Sequence, residues 1–258
     1  MIFGKLTIHR HSDGTVALKD FDLSVLPGQR VVLCGRTGSG KSSVLLSLLR
    51  ILDTRSGNIQ LDGIGINNIT RDVLRQKCFI TVSQDALLLP GETLRFNLDP
   101  DLGMSDEALT DALEKLGLWS HFRGNYANGT QGEDEYREHP ILDAKISIFP
   151  ELSAGQGQLF AMCRAVLRAV WLRDQGAKPV ILLDEVTSSL DAAIESTVHG
   201  IIDEEFSNKG HTVIMVSHRL GGLVKDARQG DVVVWMKDGR VHDIVHGFQT
   251  QVLGVEED

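Results

Sequence analysis

One octapeptide constrains this chain more than anything else in it: Gly35-Arg36-Thr37-Gly38-Ser39-Gly40-Lys41-Ser42, which fits the spacing G-x-x-x-x-G-K-[ST]. Its flanks suit it. Residues 31–34 are a short apolar run with the length of a buried strand, and residues 41–52 carry a helical stripe through Val44, Leu45, Leu48, Leu49 and Leu52. A strand entering a glycine-rich turn and a helix leaving it let backbone N–H groups converge on an anion, with the helix dipole adding its positive end. Residues Gly35 to Ser43 therefore read as a phosphate cradle. Lys41 would reach the outer phosphates, and the Ser42 hydroxyl would be a ligand for Mg2+.

Strand and helix patterns alternate along most of the chain, which predicts an α/β fold with a largely parallel sheet. Phe21, Leu23 and Val25 alternate with polar partners as an antiparallel strand would, and Ile59 and Leu61 before Asp62-Gly63 suggest a hairpin arm. Residues 79–82 form another strand. The character changes between 85 and 152. Ser105 is placed to cap a helix with Leu109, Leu113 and Leu116 on one face, stopped by Gly117. Residues 123–140, polar and holding Gly124, Gly129 and Gly132, read as an exposed loop. Helices at 156–170 and 191–206, strands at 180–184 and 212–217, and a hairpin at 232–245 around Asp238-Gly239 complete the pattern. The plan is a single domain over 1–258, with an α/β core and antiparallel arm in 1–84 and 153–258, and a helical insertion over 85–152.

Composition narrows the function class. With 258 residues, 42% hydrophobic and 24% charged, the chain can bury an ordinary globular core. A formal charge of −9 and the lack of a basic tract argue against a nucleic-acid grip. No apolar run approaches the roughly 18 residues of a membrane span, and the first residues do not form a signal peptide. Any membrane-spanning part is expected from another segment or chain. Cys34, Cys78 and Cys163 are widely spaced without a C-x-x-C, and read as small hydrophobes rather than a disulfide or metal set.

The second chemical signal is Val180-Ile181-Leu182-Leu183-Asp184-Glu185, an aliphatic run ending in two carboxylates. Such a strand lies inside a parallel sheet, and its C-terminal end faces the ligand crevice. Asp184 suits magnesium, and Glu185 can polarise a water against a phosphate as general base. Together with the cradle this means a P-loop NTPase.

Leu152-Ser153-Ala154-Gly155-Gln156, lying between those motifs and before a helix, resembles the LSGGQ signature of the ABC ATPases. The resemblance runs from about residue 6 to residue 245. It implies a RecA-like core with an antiparallel β subdomain and an inserted helical subdomain, and ATP with Mg2+ as ligands. Gln84 resembles the family's Q-loop glutamine, a magnesium contact. The segment ending at Asp191 resembles the D-loop that crosses to a partner subunit. His218 resembles the switch histidine at the γ-phosphate. Catalysis would then rest on Glu185, His218 and Lys41, and magnesium on Ser42, Gln84 and Asp184. The nucleotide would be held by Gly35–Ser43 residues together with Gln84, Asp191 and a partner's Ser153, Ala154, Gly155 and Gln156.

The resemblance also implies a head-to-tail dimer of two such domains docked on transmembrane domains, at the cytoplasmic side of a membrane. Residues 88–100 are similar to the multidrug-resistance-associated (C) subfamily of exporters, and Glu185 to its second nucleotide-binding domain, so export of a small organic substrate, anionic or conjugated, is implied. Chains of that subfamily carry two membrane and two ATPase domains, so an excised domain or fragment is expected. The alternatives are a non-catalytic or truncated nucleotide-binding module, and a non-transport ABC ATPase acting on DNA or ribosomes. One departure stands out. The family stacks an aromatic ring on adenine about ten residues before Leu18-Lys19-Asp20, but the segment Ile8-His9-Arg10-His11 has none. Imidazole and guanidinium planes can also stack; equally, the segment reads as a plain polar hairpin.

Overall fold

The computed structural model describes residues 2–9, 16–101, 103–129, 139–188, 190–217, 228 and 230–247. The chain opens with β1 (Ile2–His9), β2 (Val16–Ser24) and β3 (Arg30–Cys34), and the glycine-rich turn then leads into α1 (Lys41–Leu48). β4 (Thr54–Leu61), β5 (Ile64–Gly65), α2 (Arg71–Val73) and β6 (Phe79–Val82) follow. Next come α3 (Leu94–Leu98), α4 (Asp106–Lys115), α5 (Trp119–Gly129) and the long α6 (Ala154–Asp174). The last elements are β7 (Val180–Asp184), α7 (Ala192–Ile201), β8 (Val213–Val216), β9 (Val232–Lys237) and β10 (Arg240–His246).

Burial sorts the strands. The mostly buried strands β3, β6, β7 and β8 join β9 and β10 in a six-stranded sheet of order β10-β9-β3-β8-β7-β6. It is parallel throughout except for the edge strand β10. Strands with one covered face, such as β2, pair antiparallel in a second sheet of order β2-β1-β4-β5. This is the α/β fold, with a mostly parallel sheet beside an antiparallel one, that the alternating pattern predicts. Among the described residues, no helix is long and apolar enough to cross a membrane.

Four helices differ from the sequence reading. α1 stops at Leu48 rather than residue 52, because Arg50 adopts φ 50° and closes a Schellman-type turn: Ile51 N–H donates to Leu46 O at 2.9 Å and Arg50 N–H to Ser47 O at 3.1 Å. The usual glycine signal is absent at that position. Residues 123–129, expected as loop, continue α5. Phe122 is fully buried, edge-on to Phe149 at 5.1 Å and near Phe160 at 6.2 Å, and this packing outweighs the helix cost of Gly124. The ring spacing Trp119, Phe122, Tyr126 carried the helical signal. The signature helix is longer than 156–170 at both ends, and the helix after Asp191 becomes a π turn over Ile202–Ser207.

Ser105 caps α4 as expected, accepting from Ala108 N–H, while Leu109, Leu113 and Leu116 are buried and Gly117 takes φ 71°. Burial pushes the Cys34 and Cys163 thiols up to about 12, and raises Cys78 as well, so none is a reactive thiol at neutral pH.

Two buried histidines are expected to make the fold acid-sensitive. His211 bonds Pro179 O at 3.0 Å through Nδ1. His199 has ring nitrogens without a hydrogen-bond partner; the Glu195 carboxylate, 3.7 Å away, is too far for a bond but opposes the effect of burial by its charge. Burial lowers both pKa values below 6.5, and for His199 the Arg30 charge lowers it further. Below about 6.5 the unfolded chain therefore binds more protons than the folded one, and stability falls as pH drops, by up to about 1.4 kcal/mol per pH unit per histidine. Urea midpoints between pH 7.5 and 5.5 should decline, and the His199→Gln/His211→Gln double variant should flatten the slope. An equal slope in both proteins would remove these histidines as the cause.

Candidate active site

Because β3, β6, β7 and β8 run parallel, their C-terminal ends share one edge of the sheet. That edge receives the glycine-rich loop, Gln84, Asp184-Glu185 and Ser217. Ligands bind at this edge of open α/β sheets.

The loop is built to receive an anion. Gly40 takes φ 102° and caps α1 without a side chain. The first bond of the helix is Val44 N–H to Gly40 O, which leaves the N–H groups of Lys41, Ser42 and Ser43 without an intrahelical acceptor. Gly38, with φ 85°, has open space before it, as exposed Arg36 and Thr37 do. The buried Ser39 hydroxyl has no hydrogen-bond partner. Lys41, only 5% exposed, folds its ammonium back on the carbonyls of Gly35 at 2.7 Å and Arg36 at 3.1 Å. Burial lowers its pKa, while the charges of Glu185 and Asp184 oppose the shift. The cradle thus combines a desolvated cation, unpaired amides and a free hydroxyl, which fits a polyphosphate.

Beside it lies a donor set that fits magnesium. Ser42 Oγ donates to Asp184 Oδ1 at 3.2 Å, although the two residues are 142 positions apart. A hydroxyl and a carboxylate are oxygen donors of the kind this small hard ion takes, completed by phosphate oxygens and water. Among the described residues no cluster of three or more His, Cys, Asp or Glu could hold a metal by itself.

Glu185 follows at φ 53°, a left-handed conformation costing about 1–2 kcal/mol for a side-chain-bearing residue. The turn is held by Glu185 N–H to Val216 O at 3.2 Å and by Ser188 donating to Glu185 O through N–H at 3.1 Å and Oγ at 3.0 Å. Glu185 lines a cavity of about 350 Å³ together with Gln84, Ser153, Ala154 and Ser188. No residue of the glycine-rich loop lines that cavity. A larger cavity of about 470 Å³, walled by Phe79, Val82, Phe96, Leu98, Arg164 and Trp171, lies away from the carboxylates.

Leu152–Gln156 carries a feature the sequence reading missed, although the spacing S-x-x-Q announces it: a capping box. Ser153 Oγ accepts from Gln156 N–H at 3.2 Å, and Gln156 Oε1 accepts from Ser153 N–H at 3.0 Å. Ser153 keeps its own hydroxyl proton to donate, and Ala154 and exposed Ser153 face outward at the start of α6. Gln158, also passed over, is buried and donates to Ser83 O at 3.3 Å, tying α6 to the base of the Gln84 segment. Asp191 caps α7, its Oδ1 accepting from Ala193 and Ile194 N–H, each at 3.0 Å. His218, Arg10 and His11 lie outside the described residues; Ser217, before His218, is buried and donates its N–H to Leu33 O at 3.1 Å.

The sequence profile of the ABC transporter family matches residues 18–188, from β2 through the phosphate loop and the signature to the turn after Glu185. The chain belongs to the ABC transporter family. It is an ATP-binding ATPase domain of that family. Relatives include an ABC-type transporter of Gibberella zeae, 36% identical over 89% of this chain and 14% of that protein. ABC transporter FGM5 of the same fungus is 42% identical over 88% of this chain and 14% of its own length. ABC multidrug transporter B of Aspergillus fumigatus is 35% identical over 87% of this chain and 13% of its own length. The chain therefore spans only a small part of the curated ABC transporters it matches.

Proposed function

We propose that this chain binds Mg-ATP, closes on a second nucleotide-binding domain head to tail, and hydrolyses the nucleotide to drive an exporter at the cytoplasmic side of a membrane. The observation that carries this reading is the junction of Ser42 with Asp184 at 3.2 Å, which joins the phosphate loop to the carboxylate strand across the parallel sheet. Lys41 would hold the outer phosphates, and Ser42, Asp184 and Gln84 would hold magnesium. Magnesium, when bound, neutralises charge on the phosphate oxygens. Glu185 accepts a proton from the attacking water and His218 contacts the γ-phosphate.

Ser153 and Ala154 open on a cavity that no residue of their own phosphate loop lines, which favours service of the segment Ser153, Ala154, Gly155 and Gln156 to a partner's nucleotide. Asp191, the N-cap of α7, would face that partner. Residues 85–152 act as a helical insertion in a single domain of 1–258. The groove of about 470 Å³ beside exposed Leu87 is the place for a transmembrane domain to dock. The similarity of residues 88–100 to the multidrug-resistance-associated subfamily, and the intact Glu185, favour its second nucleotide-binding domain and a small organic cargo, anionic or conjugated.

Light scattering tests the assembly. Glu185→Gln protein should be monomeric alone and dimeric with saturating Mg-ATP. A monomer under both conditions at high protein concentration would rule out the homodimer, and would point to dependence on a different second domain.

A further inference from the structure

We propose that the Asp238–Gly239 turn between β9 and β10 is a positioning element for the phosphate loop, with Gly239 as the residue that holds the loop's Ser39–Gly40 peptide in its anion-binding orientation. The proposal rests on the ATP-site reading above and adds a residue from outside the family-profile match, which ends at 188.

Gly239 is buried and bonded at both poles. Its N–H donates to Ser39 O at 3.0 Å, and its carbonyl accepts from Lys19 N–H of β2 at 2.9 Å. The hairpin turn is thus a bridge between the phosphate loop and the antiparallel sheet. In a planar trans peptide the C=O and N–H point in opposite directions. Anchoring the Ser39 carbonyl on the hairpin therefore turns the Gly40 N–H away from it, toward the concave side of the loop. If the anchor were lost, the peptide could rotate and present a carbonyl oxygen to a phosphate, where it would repel.

The hairpin, the loop and β2 approach one another closely at these glycines. A Cβ on Gly239 would lie 2.7 Å from Ala17 O and 3.2 Å from Leu18 Cα. One on Gly40 would lie 2.8 Å from the same Ala17 O, and one on Gly35 would run into Met236 O of β9. These obstacles are backbone atoms, which cannot swing aside as a side chain does. Two glycines of the phosphate motif therefore answer to the hairpin and β2 as well as to any ligand.

The chain supplies its own control. Asp62–Gly63, between β4 and β5, has the same sequence and turn geometry, with φ 50° and 82° against 51° and 75° for Asp238 and Gly239. Nothing lies within 4 Å of a Cβ on Gly63. Gly63→Ala therefore imposes the left-handed strain without touching the loop.

The experiment compares Gly239→Ala with Gly63→Ala, using inorganic triphosphate to displace a fluorescent nucleotide. Gly239→Ala should weaken triphosphate at least about tenfold and raise the KM for ATP by a like factor while kcat at saturation changes much less, the pattern of lost uniform binding. Gly63→Ala should stay within about twofold of wild type. Equal losses in both variants, or unchanged affinity in a folded Gly239→Ala, would overturn the proposal. Should Gly239→Ala fail to fold, amide exchange in the wild-type chain decides: triphosphate should slow exchange of the Gly239 N–H and not of the β4–β5 hairpin, and an unchanged Gly239 rate would overturn it. A wild-type chain that binds no triphosphate would instead remove the underlying ATP-site reading, and this proposal with it.

Discussion

Glu185→Gln is expected to keep nucleotide affinity and to lose about 10²–10⁴-fold in turnover, the usual range for removing a general base. The isosteric amide keeps the turn's backbone bonds, which run through the Glu185 N–H and carbonyl. What would disappear, under the proposed reaction, is the carboxylate that accepts the proton of the attacking water. Lys41→Ala should behave differently: it removes the cation of the cradle and so should abolish binding itself. Phosphate release paired with fluorescent-nucleotide titration separates the two. Hydrolysis by Glu185→Gln at the wild-type rate would take Glu185 out of the reaction.

Arg30→Met should be the most damaging single change to stability away from the site, costing about 3–5 kcal/mol. Arg30 is 1% exposed at the start of β3, the strand that delivers the phosphate loop. Its guanidinium meets Asp203 at 2.6 Å and Asp231 at 2.8 Å, with a further Nε bond to Asp231 at 3.0 Å. Asp231 is itself 1% exposed. Methionine fills most of the space and leaves that carboxylate buried with, among the described residues, only the side chain and N–H of Arg228, at 3.4 and 3.0 Å, to help it. Adding Asp231→Leu should recover much of the loss, because removing both charges is far cheaper than stranding one. Urea denaturation of the single and double variants measures this. A single variant within about 1 kcal/mol of wild type would mean that water or other groups already solvate Asp231.

The features legible in advance share a physical character: each is set by neighbours in sequence. A glycine run before Lys41 must turn tightly, an aliphatic run ending in Asp184 must bury and then emerge, and Ser105 before an apolar-periodic stretch caps a helix. Where the reading fell short, distant contacts had decided. Gly124 argues for a loop until Phe122 finds Phe149 and Phe160. Arg50 carries no sign of a helix stop, and its side chain reaches Ile69 O at 2.7 Å only once the chain has folded back. The Ser153–Gln156 capping box was an exception, a local signal overlooked because a functional resemblance already accounted for the same letters.

By itself the sequence determined the chemistry available at each strand end, and with the family resemblance the class of reaction, because strand, turn and helix signals and the phosphate spacing act over fewer than about ten residues. Only the tertiary structure decided which of those ends meet. Parallel pairing of β3, β8 and β7 sets Ser42 beside Asp184, Arg30 gathers Asp203 and Asp231, and the last hairpin lays Gly239 against Ser39. Each contact spans more than a hundred residues of chain, and its partner is chosen by sheet order and burial, which no local pattern encodes.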